Sequence, residues 1–152
     1  MRERPFFCFI LMRKSLLFLL MAVALSCSSV KNLPHVKPTL NDLIDTSWVL
    51  DEWKGEGVKK DDYMKGLPAL NFREKGVLDG MTGCNSFSGK YAIAEKFKLD
   101  TGAMTKMNCP GSAEAEFLNA FKGTTSIHMQ GEDLVFMDEN DELLRFKPVS
   151  KK

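Results

Sequence analysis

Charge of one sign, histidine and long apolar runs are what this 152-residue chain has least of. With 21 Lys and Arg against 20 Asp and Glu, it carries no positive excess for a nucleic-acid backbone, which excludes binding by bulk charge. Of only two histidines, His35 and His128, His128 alone falls within the globular part, and with the two cysteines there it leaves an ordinary four-ligand zinc site one ligand short. The longest apolar run, residues 16–25, falls well short of the roughly 20 residues that span a bilayer. The length leaves no room for two ordinary domains, and 44% hydrophobic content is too apolar for a disordered chain.

The averages hide a division. The first 26 residues hold 18 of the hydrophobic residues, in runs 6–12 and 16–25 split by Arg13 and Lys14. A basic start, an apolar core and small residues before a cut follow one another here, which describes a secretory signal peptide over 1–26. Met12 opens the order basic pair then core, and is a candidate true start; a long basic region from Met1 is the alternative. The end of the core, Val23-Ala24-Leu25-Ser26-Cys27, resembles the lipobox of bacterial lipoproteins, in which the cysteine is acylated and becomes the mature N-terminus. An ordinary cleaved signal with an incidental cysteine is the competing reading. The resemblance implies lipidation of Cys27 and a membrane as a partner. With no Asp following Cys27, it favours the outer membrane, with the domain in the periplasm. After cleavage the net charge changes from +1 to −2. Residues 27–38, with two prolines and no periodicity, read as the lipidated N-terminus and a semi-extended tether reaching on the order of 30 Å; His35 within it reads as a solvated histidine.

Residues 39–148 read as one β-rich domain, followed by a basic tail over 149–152. Dense turn punctuation between short apolar runs predicts seven to nine strands. The candidates are 47–53, 69–73, 77–81, 90–94, 97–99, 103–107, 126–130, 133–137 and 143–146. In the first, Trp48, Leu50 and Glu52 fall on one face and Val49, Asp51 and Trp53 on the other. Gly131-Glu132 reads as a hairpin turn. Residues 112–122 break the pattern, with Phe117, Leu118 and Phe121 at helical spacing, Ser112 at the N-cap, Glu114 and Glu116 in the first turn and Gly123 beyond the last. The expected fold is α+β: a curved, roll- or barrel-like antiparallel sheet with one packed helix.

Once Cys8 is lost with the leader and Cys27 is acylated, Cys84 and Cys109 are the remaining thiols of an exported domain. A disulfide between them is the expected state; two free or buried thiols, or thiol chemistry, are the alternatives. No redox CxxC spacing and no metal-ligand cluster is present, and no pattern calls for a cofactor.

The stretch Gly83-Cys84-Asn85-Ser86-Phe87-Ser88-Gly89-Lys90-Tyr91, the later Met104-Thr105-Lys106-Met107-Asn108-Cys109, and the flanking Thr46-Ser47-Trp48, Leu134-Val135-Phe136 and Leu143-Leu144-Arg145-Phe146 resemble the META domain, the family of HslJ-like bacterial envelope proteins. The family pattern commonly has Arg at Lys106 and Ala at Asn108. The resemblance implies an antiparallel sheet with one helix and an association with envelope stress or antibiotic tolerance, and no established catalysis. It points to Gly83, Asn85, Phe87, Gly89 and Tyr91 either as structural residues or as a binding loop for an unknown envelope protein or small ligand. The function expected is therefore that of a non-catalytic, lipid-anchored envelope protein. The alternative is a small envelope enzyme, with Asp79, Glu114, Glu116 and His128 as the available acid-base groups, or a thiol-redox protein using Cys84 and Cys109.

Overall fold

The computed structural model describes residues 33–150. The expected signal peptide, Cys27, the start of the expected tether and Lys151-Lys152 lie outside the described residues. Nine strands form one antiparallel sheet: β1 (Thr46–Trp53), β2 (Glu56–Gly57), β3 (Ala69–Phe72), β4 (Val77–Met81), β5 (Ser86–Ile93), β6 (Phe97–Met104), β7 (Ser126–Gln130), β8 (Asp133–Asp138) and β9 (Asp141–Ser150). The order is β6-β5-β4-β3-β1-β9-β8-β7, with β2 paired to β1. Curvature and stagger bring the two edges together where Phe97 N–H donates to Thr125 O at 3.0 Å, giving the barrel-like roll that the punctuation predicts. Helix α1 (Leu40–Leu43) precedes β1, and α2 (Ala113–Lys122) lies between β6 and β7.

Strict antiparallel alternation gives the roll two ends. At the α1 end lie the start of β1 and the end of β9, the β5–β6 hairpin and the turn from Gly131 into β8. At the α2 end lie the β1–β2 hairpin, the β4–β5 connection and the β8–β9 turn.

The alternating faces of the strands explain the core. Trp48 and Leu50 on β1, Leu70 and Phe72 on β3, Leu134 and Phe136 on β8, and Leu144 and Phe146 on β9 are all buried inward. From α2, Phe117 and Phe121 enter this core, and Phe121 stacks on Phe136 at 5.7 Å. At about 25 cal/mol per Å² of apolar surface, aromatic residues of this size supply much of the burial that stabilises a domain this small. Ser112 occupies the N-cap position but its hydroxyl caps nothing, since its ψ of −13° is already helical; Gly123 ends the helix by donating to Asn119 O at 3.0 Å.

Four expectations change, each for a reason that lies in how distant segments pair. Trp53 packs against the core and Glu52 faces outward, because β1 bulges between Leu50 and Glu52 and the alternation reverses. The candidates at 97–99 and 103–107 are parts of one strand, β6, which bulges opposite Phe87 and Ser88 with Gly102 at φ +56°; beyond Met104 the chain leaves the sheet. The second half of the tether is not free. Val36 and Met129 exchange backbone hydrogen bonds at 2.9 and 2.7 Å, Gln130 Nε2 donates to Leu33 O at 3.1 Å and Lys37 Nζ to Ala94 O at 2.7 Å. These bonds satisfy backbone groups on the exposed edge of β7, which would otherwise be left to water or to another chain. Likewise β9 pairs through Val149 and Ser150 with Ser47 and Thr46, so part of the expected basic tail belongs to the sheet. Among the described residues no helix is long and apolar enough to cross a membrane.

Candidate functional site

Four residues, Thr82 to Asn85, connect β4 to β5 at the α2 end, and their tight turn is closed by Thr82 N–H donating to Asn85 O at 2.8 Å. Gly83 is required here on two grounds: its φ is +93°, and a Cβ would overlap the ring of Tyr63. Burial, with the charges of Asp62 and Glu116 behind it, pushes the Tyr63 phenol pKa up. Cys84, 2% exposed, forms a disulfide with Cys109 across a Cα–Cα distance of 6.2 Å, fastening the turn to the strap that follows β6.

Asn85 is the centre of this knot. Its Oδ1 accepts Thr105 Oγ1–H at 2.9 Å and Met107 N–H at 2.8 Å, which explains why the chain leaves the sheet after Met104. Its Nδ2 faces both carboxylate oxygens of Glu114, at 3.0 and 3.1 Å, with Met107 O at 3.3 Å. Thr82 completes the arrangement: its hydroxyl accepts Asn85 N–H at 2.9 Å and donates to Glu114. Thus one amide joins the β4–β5 turn, the 105–109 strap and the first turn of α2. An amide both donates and accepts, which neither Asp nor Leu of similar size does, so the knot demands Asn at this position.

The other motif residues hold the core. Phe87 is buried and tilts against Phe121 at 5.7 Å; Tyr91 meets Phe72 edge-on at 4.9 Å and its hydroxyl donates to Arg73 O at 2.9 Å. Burial raises the Tyr91 phenol pKa. Gly89 admits no side chain, because a Cβ would overlap the backbone of Asp100 and Thr101 on β6. Beside the knot, a shallow cavity of about 480 Å³ opens between Asp61, Asp62 and Met64 on one side and Gly111, Ser112 and Glu116 on the other.

The four acid-base candidates are not brought together. Asp79 on β4 is held by Arg73, with Nε to Oδ1 at 2.8 Å and Nη2 to Oδ2 at 3.3 Å, and by Asn71. Glu114 belongs to the Asn85 knot, while Glu116 lines the cavity. His128, on β7, places Nε2 3.1 Å from Ser126 Oγ, and burial followed by the nearby charge of His35 pushes its pKa down. His35 is exposed but not free in solvent: its ring meets His128 edge-on at 5.7 Å and its Nε2 lies 3.3 Å from Gln130 Nε2. The sulfurs of Cys84 and Cys109 lie within 4.8 Å of a Glu114 oxygen. As disulfide sulfurs they carry no thiolate, so the group offers a cation one carboxylate.

Sequence reasoning missed a second polar knot on the outer face of the sheet. Arg145, 7% exposed, donates to both oxygens of Glu142 at 2.9 and 2.6 Å, to Asp133 at 3.2 Å and to Gln130 Oε1 at 2.7 Å, with Glu52 at 3.6 Å. Burial disfavours the charge of Arg145, but Glu142 and Asp133 outweigh it and raise the guanidinium pKa. The signal available was a lone Arg at an outward position between Leu144 and Phe146.

The META domain model matches residues 41–151. One similar solved structure, determined by NMR, is 24% identical with a TM-score of 0.60, covering 74% of this chain and 97% of that one. A second, the NMR structure of a protein from Burkholderia xenovorans, is 25% identical with a TM-score of 0.57, covering 78% of this chain and 92% of that one. No curated protein matches this chain.

Proposed function

This chain belongs to the META domain family, and on that premise we propose that it is a non-catalytic, lipid-anchored protein of the cell envelope, acting in envelope stress or antibiotic tolerance by binding a partner. The observation that carries the reading is the fate of the motif's polar atoms. The Asn85 amide, the Thr82 hydroxyl and the Glu114 carboxylate bind one another and the 105–109 strap, so the chemistry a reaction would need is engaged in holding shape. The knot therefore builds a rigid surface at the α2 end, with Met64 and Met107 exposed on it. Exposed methionines suit apolar contacts with partners of varied shape. The anchor is supplied by the lipobox ending in Cys27.

Thiol exchange requires a thiolate to reach a disulfide sulfur. Cys84 is shielded by its burial, and its bridge is expected to persist in a glutathione buffer. The proposal is tested by recovering the tagged protein from gently solubilised membranes and by growing a deletion strain under envelope stress. A specific envelope protein bound at the α2 end, lost when Met64 and Met107 are changed to Asp, is the expected result. No recovered partner, together with a deletion strain indifferent to stress, would contradict it.

A further inference from the structure

The exposed apolar side chains of this domain are not evenly placed. Of the seven large ones among the described residues, five, Leu33, Val36, Leu40, Val77 and Val149, lie at the α1 end, where the described chain begins and β9 finishes; Met64 and Met107 lie at the other. Single exposed apolar residues need no explanation, but a gathering at one end marks a contact surface. Leu33 and Val36 flank a shallow groove of about 400 Å³ that also includes Pro34 and Met129.

The length of chain beyond this end identifies what the surface meets. Because residues 33–38 are fastened to β7 and to the β5–β6 hairpin, they contribute no reach. Six Cα–Cα steps separate Cys27 from Leu33, so even a fully extended connection places Leu33 within about 20 Å of the lipidated residue, less than the reach expected for a free tether. The sequence continues from Ser150 with two further lysines, a charge that suits a surface of anionic phosphates above acyl chains.

We propose that the α1 end is a bilayer-docking surface, and that its occupant is the headgroup region of the leaflet holding the Cys27 lipid. The proposal rests on the reading that Cys27 is acylated. Docking at this end turns the Asn85 knot away from the membrane by the length of β5, eight residues or about 25 Å, and so presents the α2 end to the envelope space.

The test uses the full mature protein, extracted from membranes and placed in nanodiscs of phosphatidylethanolamine and phosphatidylglycerol carrying a headgroup-attached nitroxide lipid. Backbone amide signals of Leu33, Val36, Leu40 and Val149 are expected to be broadened away while those of Met64 and Met107 persist. Changing Val36 and Leu40, both exposed, to Asp is expected to weaken this broadening without altering the fold, although the short connection still keeps this end near the lipid; broadening unchanged in the variant overturns the docking surface. Broadening spread evenly over the surface, or concentrated at the α2 end, overturns the docking surface while leaving the anchor intact. Intact mass of the same sample separates the two claims: a protein without acyl chains overturns the anchor and the docking surface with it.

Discussion

The Asn85 knot and the Arg145 knot do the same mechanical work with opposite chemistry. The first is almost neutral, an amide and hydroxyls with one carboxylate, locked by a covalent bridge. The second sets one cation among Glu142, Asp133 and Glu52, with no bridge. The difference follows from the backbone that each one holds. The Asn85 knot holds irregular backbone that no sheet ladder can satisfy, so at its centre stands an amide that both donates and accepts. The charged knot sits on regular strands β8 and β9, where it covers the outer face and joins the sheet to the N-terminal segment through Gln130 and Leu33.

The comparison can be broken most forcefully at the disulfide. Replacing Cys84 and Cys109 together by Ala opens a loop of 25 residues and is expected to lower stability by about 3.5 kcal/mol in the chain-entropy model, read from urea midpoints. Arg145→Met leaves three carboxylates facing one another; because they keep partial contact with water, a loss of about 3 kcal/mol is expected, at the low end for a broken buried pair. Asn85→Ala strands Met107 N–H and takes the amide donor from the Glu114 carboxylate, which keeps the Thr82 hydroxyl, for about 2 kcal/mol. A double-mutant cycle sharpens the contrast. Asn85→Ala combined with loss of the disulfide should be strongly non-additive, whereas Asn85→Ala with Arg145→Met should add to within about 0.5 kcal/mol, since the knots share no partner. Coupling between the knots of the same size as within one would dissolve the distinction.

The smallest expected effect is a pH dependence confined to the side of the molecule that holds Arg145. His128 has its pKa lowered below the ordinary 6.5, first by burial and then by His35. The unfolded chain therefore binds the proton more readily than the folded one. The stability contributed by the neutral imidazole is complete above pH 6.5 and is lost as the pH falls through the folded value. Urea midpoints measured above and below this range should decline on the acid side, and His128→Gln should flatten that part of the decline. A wild-type decline unchanged in the variant would remove His128 from the account.

Much of the fold was legible because its determinants are local. Short apolar runs between turn residues announced the strands, and Phe117 and Phe121 at helical spacing announced α2. What escaped was non-local. The bulge in β1 that turns Trp53 inward depends on how Arg145 and Phe146 register against it across the sheet, which β1 alone does not encode. The docking of Val36 on Met129 joins residues 93 positions apart, and the proline-containing stretch around it carries no periodicity to signal a partner. The two polar knots divide in the same way. Gly83, Cys84, Asn85 and Cys109 stood out as a motif, but the role of Glu114 as their acceptor was hidden in an ordinary first helical turn. The Arg145 knot draws on β1, β7, β8 and β9, so no stretch of sequence contains it.

Cys27 is the proposed membrane anchor, and Cys84 and Cys109 brace the domain internally. The intact mass of the protein extracted from membranes without reductant tests both at once. The predicted result is a chain beginning at Cys27, heavier by its acyl chains, and lighter by two hydrogens than the same chain with Cys84 and Cys109 reduced. A chain cut at another position, without lipid and with both thiols free, would contradict it.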